Sequence, residues 1–329
     1  MSSANAIKYK IDDGHEFNFW GFAQFTAEAR DDKANDGLNF GNDRARAGVR
    51  WKRENLFAGL HVDLNNTGDA PNETLDRFIR DAFGGYKFSN AAKVKIGQFK
   101  TPVGMSYNMP GKKLPLTKRP LTDRYNLDRT LGIMLSGRKI GGGFGYDIGI
   151  FNPASRAAQV SDSPADQGGD ANAFAVRAIY DFGKAFYIEA SYGSSEEAGG
   201  TVGSEDYRVV DVGAIYNNPN FRVRIEFIDA MDIRGVKNQN ATTYFLEGSY
   251  KANKTYELTV RYENSDAETT GSDTNLQNTF LGVTVFLDSS TNGRIQLNYV
   301  TSSGDEATFP GFGGGFRDDA ILSQYQVAF

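Results

Sequence analysis

The chain repeats one pattern almost from end to end: apolar and polar residues alternate over runs of about ten residues, and polar segments separate the runs. In the first run, 16–30, Phe17, Phe19 and Phe25 share one face, and Asn18 lies on the other. A period of two is typical of a β-strand with one face in apolar surroundings and the other in water. A run of this length crosses a bilayer when the strand is tilted.

About sixteen such strands are predicted along the chain. They cover residues 16–30, 43–53, 56–65, 76–88, 92–100, 129–138, 142–151, 172–182, 185–193, 206–217, 221–229, 242–251, 255–264, 276–287, 294–302 and 319–329.

The connections between these strands fall into two classes. Short connections lie at 53–55, 89–91, 139–141, 182–184, 217–220, 252–254 and 288–293. Long ones, most of them acidic, lie between them at 31–39, 65–75, 101–128, 152–171, 194–205, 230–241, 265–275 and 303–318. Strict alternation is typical of an outer-membrane barrel with tight periplasmic turns and long extracellular loops. We therefore predict an all-β fold, a transmembrane antiparallel β-barrel forming one domain over 1–329, with 1–15 as a periplasmic N-terminal segment.

Composition agrees with a barrel and excludes several other classes. A mean hydropathy of −0.48 and the lack of any apolar run near ~18 residues exclude membrane-spanning helices. In a transmembrane strand only alternate residues face lipid, so average hydropathy stays low. The absence of Cys excludes disulfides, thiolate metal sites and covalent haem attachment. Residues 1–10 are polar, so we expect the precursor to carry a signal peptide that the chain starting at Met1 lacks.

The last strand carries a further signal at its end. Tyr325, Val327 and Phe329 alternate up to the terminal carboxylate. This ending is typical of the C-terminal recognition pattern of outer-membrane barrels, so the barrel-assembly machinery is an expected partner through Phe329. The alternative is an ordinary edge strand.

Basic charge is concentrated near one loop of a chain whose net charge is −5. The longest loop, 101–128, is the only strongly basic one, and two strands place further cations on a single face. Several cations on one strand face would be costly in lipid, so that face must line a hydrated interior. We expect the third long loop to fold inward and form a constriction. The predicted pore-lining and substrate-binding residues are Arg44, Arg46, Arg50, Lys52, Lys93, Lys95, Lys112, Lys113, Lys118, Arg119 and Arg124.

Two functions are compatible with this arrangement. Lys and Arg around a narrow passage raise the local anion concentration, as in anion and phosphate pores, which predicts passive diffusion of small anions. Alternatively, the cations balance inward acids and the chain is a general, weakly selective porin. Those acids are Glu28, Asp63, Asp147, Glu189, Glu226, Glu257 and Glu263.

Other classes have less support. His15 and His61 are the only histidines, so a hydrolase triad would need one of them, and we predict no enzyme, no cofactor and no metal site. The acidic overall charge and dispersed cations argue against nucleic-acid binding. A barrel that does not conduct, acting as a receptor or as a sheath for a partner protein, stays open as an alternative.

Three segments carry a family resemblance. Gly97-Gln98-Phe99-Lys100-Thr101-Pro102-Val103-Gly104, Arg129-Thr130-Leu131-Gly132-Ile133 and Gly149-Ile150-Phe151-Asn152 resemble the phosphate-selective porins of Gram-negative outer membranes. The resemblance implies a sixteen-stranded barrel, usually a homotrimer, that lies in outer-membrane lipid and lipopolysaccharide and conducts phosphate or related anions. It also implies a ladder of lumen arginines and a throat of lysines, for which the matching candidates are Arg44, Arg46, Arg50, Lys112, Lys113 and Lys118.

Overall fold

The fold consists almost wholly of antiparallel strands. The computed structural model describes residues 7–11, 13–30, 37–65, 78–153, 171–183, 185–196, 204–269, 272–288, 292–304 and 316–329. The strands are β1 Ile7–Lys10, β2 Glu16–Arg30, β3 Gly37–Arg53, β4 Leu56–Asp63, β5 Ile79–Lys87, β6 Lys93–Lys100, β7 Arg129–Ile140, β8 Phe144–Phe151, β9 Ala173–Asp181, β10 Phe186–Ser195, β11 Tyr207–Asn217, β12 Phe221–Met231, β13 Asn240–Lys251, β14 Tyr256–Thr269, β15 Ser272–Phe286, β16 Arg294–Gly304 and β17 Ala320–Ala328.

Sixteen of these strands close into a barrel, as predicted. From β2 onward each strand pairs antiparallel with the next, and β17 pairs with β2 to complete the ring. The sequence pattern did not predict β1, which pairs with β2 between Ile7 and Phe19. Because β17 ends opposite Phe22, β1 occupies the same side of β2 just beyond the C-terminus.

Short helices lie only in the connections of the described ranges. Three of them belong to the third long connection: α1 Met105–Asn108 and the 3-10 helices Gly111–Lys113 and Leu121–Arg124. A further 3-10 helix, Ile233–Gly235, lies between β12 and β13. In the described ranges, none of the helices combines the length and the apolar character that a membrane crossing requires.

Side chains sort by face as the alternation predicts. Outward residues such as Leu60, Ile96 and Val260 are exposed apolar groups, whereas inward positions on the same strands are polar or charged. A sixteen-stranded ring is too wide for its own side chains to fill, so the lumen holds water or additional backbone.

The prediction of loops at 31–39 and 265–275 is wrong in part. β3 already begins at Gly37, and β14 and β15 extend to Thr269 and from Ser272. In the β14–β15 extension the outward residues Asp266, Glu268 and Asp273 are polar, whereas the β3 extension exposes the apolar Leu38 and Phe40. Cross-strand polar contacts hold the β14–β15 extension, such as the 2.5 Å hydrogen bond from Asn275 Nδ2 to Asp266 Oδ1. Of the other predicted loops, 66–77, 154–170, 197–203 and 305–315 lie outside the described residues, as do 1–6 and 31–36.

Candidate functional site

The connection 101–128, called here the inward loop, folds into the barrel as predicted. Both its beginning and its end are fixed by carboxylates of the wall: Ser106 donates its backbone N–H to Glu226 Oε1 at 2.8 Å, and Thr122 Oγ1 donates to Glu226 Oε2 at 2.5 Å. Leu121 N–H donates to Glu263 Oε2 at 3.2 Å. Because these acceptors are ionisable carboxylates on β12 and β14, the inward loop is held by strong, directional bonds and not by packing alone.

Amide side chains of the wall hold the middle of the inward loop. Thr117 N–H donates to Asn298 Oδ1 at 2.9 Å, and Gln296 Nε2 donates to the Pro115 carbonyl at 2.7 Å. Leu116 is fully buried in a cluster with Phe280 and other apolar residues of β15 to β17. The inward loop is thus anchored on β12 to β16. The carbonyls of Gly111 and Lys112 also accept hydrogen bonds from Gln24 of β2 and Gln326 of β17, each at 3.4 Å.

Three of the predicted cations are neutralised by ion pairs. Arg46 contacts Asp63 at 2.7 Å, and Lys118 contacts Asp43 at 2.9 Å, with Glu28 at 3.5 Å. Arg119 contacts Asp123 at 3.2 Å and also donates to backbone carbonyls of the inward loop. These side chains fix structure and contribute little net charge to the passage.

The other predicted cations have no carboxylate partner among the described residues. Arg44 donates instead to Gln24 Oε1 at 2.7 Å, and its side chain lies against Gly111, where an added Cβ would come within 3.1 Å. The predicted cations without a described carboxylate partner are Arg44, Arg50, Lys52, Lys93, Lys95, Lys112, Lys113 and Arg124.

Lys112 lies near other cations of the protein. Burial lowers the pKa of the Lys112 ammonium, and repulsion from Lys113 and from Arg50 lowers it further. Arg50 of β3 therefore lies within electrostatic range of the inward loop. β3 and the inward loop thus bring Arg50, Lys112 and Lys113 near one another.

Lys93 and Lys95 project from one face of β6 over aromatic rings. Lys93 Nζ lies 4.0 Å from the centroid of Phe57, and Lys95 Nζ lies 3.6 Å from that of Phe99 and 5.3 Å from that of Phe83. An ammonium over a ring face gains cation–π attraction.

Several inward arginines that the sequence did not single out form ion pairs with inward acids. Arg224 contacts Glu247 at 2.6 Å, and Arg177 contacts Asp147 at 2.7 Å. Arg222 contacts Glu257 at 3.0 Å. The predicted inward acids are therefore matched to cations, except Glu226, which accepts the bonds of the inward loop described above. This matching agrees with the expectation that inward charges balance across the lumen.

The histidines form no cluster that resembles a catalytic or metal centre. His61 Nδ1 lies 2.9 Å from Asp81 Oδ2, and its ring meets Trp20 edge-on at 4.8 Å. Across the described ranges, no three His, Asp or Glu side chains are grouped as metal ligands.

Comparison with known proteins agrees with the barrel. The profile of the Gram-negative porins matches residues 2–305. No curated protein matches the sequence. Among solved structures, OmpF of Salmonella typhi in complex with daunomycin has a TM-score of 0.72 at 14% identity, covering 98% of this chain and 100% of that one. OmpT of Vibrio cholerae without loop L8 has a TM-score of 0.69 at 17% identity, covering 96% and 100%. An anion-selective porin from Comamonas acidovorans has a TM-score of 0.67 at 16% identity, with the same coverage.

Proposed function

Because the chain belongs to the Gram-negative porin family, we propose that this outer-membrane channel passes small anions, phosphate and similar oxyanions among them, by passive diffusion through a basic constriction. The family confirms the prediction of a channel in the outer membrane and not an enzyme. We further propose that the channel prefers anions, that it is of the phosphate-selective type, and that the predicted pore-lining residues line its constriction.

One observation carries the proposal: cations without a described carboxylate partner lie close together on the inward loop and on β3. Lys112 and Lys113 belong to the inward loop and Arg50 to β3, and no described carboxylate pairs with any of them. Fixed positive charge beside a narrow, poorly hydrated passage lowers the barrier for an anion and raises it for a cation. Lys acts here as a point charge, and Arg as a fork that matches an oxyanion.

A second candidate function is a general, weakly selective porin. The ion pairs Arg46–Asp63, Arg177–Asp147 and Arg222–Glu257 favour it, because paired charges cancel at a distance and leave only a transverse field across the water. The two candidates differ in net selectivity and not in mechanism.

The reversal potential in a planar bilayer under a KCl gradient tests the proposal. A potential that favours chloride, with phosphate or sulfate on one side reducing the chloride current, is the expected result. A cation-favouring or near-zero potential would refute anion preference and leave the general porin. An inserted barrel without conductance would favour a receptor or sheath.

We also propose that the chain is a homotrimer in outer-membrane lipid and lipopolysaccharide, with residues 1–15 and the short turns on the periplasmic side. The exposed apolar side chains of the outer wall would contact lipid or neighbouring subunits. Phe329 would be recognised by the barrel-assembly machinery, and its backbone exchanges hydrogen bonds with Gly21 at 3.0 and 3.2 Å. A trimer-sized band on a gel that shifts to monomer size after heating is expected; monomer bands in both lanes would contradict the trimer.

A further inference from the structure

Six inward side chains of β3 to β6 form what we call the aryl-basic patch: Arg50, Lys52, Phe57, Phe83, Lys93 and Lys95. The strand register sets their arrangement. Lys52 lies opposite Phe57 across β3 and β4, and Arg50 lies opposite Gly59. On the next strand pair, Gly59 lies opposite Phe83. The two rings are therefore bordered by cations of β3 on one side.

Inward glycines form the floor on which the two rings rest. Phe57 lies opposite Gly85, and a Cβ added to Gly85 would come 2.3 Å from Phe57 Cζ. A Cβ added to Gly59 would come 2.6 Å from Phe83 Cζ. Each ring thus occupies the space that a side chain on its neighbour would fill. The rings lie along the wall and do not project across the lumen, so they leave the passage open beside them.

The cations of β6 border the rings on their other side. Lys95 lies opposite Gly85, and Lys93 lies opposite Lys87. Their ammonium groups lie over the rings at the distances given above, without a carboxylate partner among the described residues. All four cations and both rings are at least partly exposed. The patch therefore offers aromatic surface side by side with basic groups that have no described carboxylate partner.

We infer that the aryl-basic patch is a binding subsite for anions that carry a flat aromatic ring, that is, aryl carboxylates. The inference rests on the proposed function and deepens it by naming a substrate class. The carboxylate would accept hydrogen bonds from Lys93 or Lys95, two residues apart on one strand face and thus about 7 Å apart at their Cα atoms. As the ammonium groups turn from the ring faces toward the carboxylate, the ligand ring would take their place on Phe57 and Phe83, where offset stacking adds to the burial of apolar area.

The combination of rings and cations distinguishes this ligand class from simpler ones. A bare oxyanion such as phosphate requires the cations, but it gains nothing from the rings. An uncharged apolar solute would bury the rings, but it leaves four cations without an anion. Only a ligand that has both an aromatic ring and an anionic group contacts the rings and the cations of the patch together.

Block of the chloride current by three carboxylates of equal charge tests the inference. Benzoate, cyclohexanecarboxylate and acetate are added to one side of a bilayer holding the wild-type trimer or monomer as purified, and the half-blocking concentration of each is measured. Benzoate is flat and aromatic, whereas cyclohexanecarboxylate is similar in size and apolar but not flat. Stacking predicts a half-blocking concentration about threefold to tenfold lower for benzoate than for cyclohexanecarboxylate.

The variant F57L should remove this preference and keep the reversal potential in KCl, because Leu keeps an apolar side chain and every charge stays. F144L, which changes an exposed ring on the outer face, is the matched control and should keep the preference. K95Q should weaken block by benzoate and cyclohexanecarboxylate alike, since both carry the carboxylate.

Equal block by the two cyclic carboxylates in the wild type would overturn the inference, and so would a benzoate preference that survives in F57L. The wild-type comparison decides the matter even if F57L does not fold. An anion-selective reversal potential together with equal block refutes only the subsite. A cation-selective reversal potential refutes the proposed function, and the inference with it.

Discussion

Replacing Lys112 by Gln should lower the anion selectivity of the channel by a measurable and limited amount. Lys112 is half-buried on the inward loop and has no described carboxylate partner, and Arg50 of β3 is within electrostatic range of it. In the proposed function a permeating anion passes close to these cations. The substitution removes one of them without creating a new charge, and Gln keeps most of the side-chain volume.

The size of the effect follows from Coulomb's law. Two unit charges 4 Å apart interact by about 1 kcal/mol in water and by about 4 kcal/mol at the lower effective dielectric of a protein surface. A hydrated anion stays somewhat farther from the ammonium, and water fills much of the passage, so we take about 1 kcal/mol. This free energy corresponds to about a fivefold fall in the chloride-to-potassium permeability ratio.

The reversal potential should be measured in dilute KCl, because the Debye length falls to about 10 Å at 0.1 M and screening hides fixed charge. The double variant R46Q/D63N is the matched control: it removes an ion pair at 2.7 Å, so it should change the permeability ratio by less than about twofold. If K112Q leaves the ratio unchanged, or if the control lowers it as much as K112Q does, the assignment of selectivity to unpaired cations is wrong.

Three further predictions concern pH, folding and the inward loop. Because burial and neighbouring cations lower the pKa of Lys112, Lys112 loses its proton at a lower pH than a free lysine. Anion selectivity should therefore begin to fall on the acidic side of ordinary lysine titration in the wild type, and this early step should be absent in K112Q. G97A should fold poorly, because Gly97 has φ +126° and an added Cβ would come 2.3 Å from the Ala82 carbonyl oxygen. The control G41A should fold normally, because a Cβ added to Gly41 meets nothing within 4 Å. The refolding yield of the two variants is compared on heat-shift gels. E226A removes the acceptor of two bonds of the inward loop, which costs about 1.5 to 3 kcal/mol for each bond to a charged group; noisier open-channel currents are expected, and currents as quiet as in the wild type would contradict the anchoring role.

The membrane-spanning part of the fold could be predicted from alternation because lipid and water impose a period of two on every strand. The predicted strands 129–138 and 294–302 match β7 and β16 in position, with differences only at the ends. Strand prediction failed where the residues do not divide into an apolar face toward lipid and a polar face toward water. At 265–275 the outward residues, such as Asp266 and Glu268, are polar and exposed, so the segment shows no apolar outward face and resembles a loop.

The candidate site could be predicted in composition but not in pairing. Alternation places Arg46 and Arg50 on one face, yet it does not show that Arg46 meets Asp63 while Arg50 meets no carboxylate in the described part of the chain, because the register between strands decides this. Phe57 and Phe83 were missed as ligand contacts. Their signal was available in the sequence: each is an aromatic residue in the polar register of its strand, where a ring has no lipid to face.

Closure of the ring through β2 and β17 has a consequence for biogenesis. The hydrogen bond from Gln24 Nε2 to Gln326 Oε1 joins residues 302 positions apart in the chain. The first barrel strand, β2, therefore cannot pair on this side until almost the last residues have been synthesised. Until then the nascent sheet has two open edges, each with a row of unpaired N–H and C=O groups that another chain can pair with. A translocating chain must therefore be shielded for nearly its whole length, and a chain that lacks β17 keeps the edge of β2 permanently unprotected.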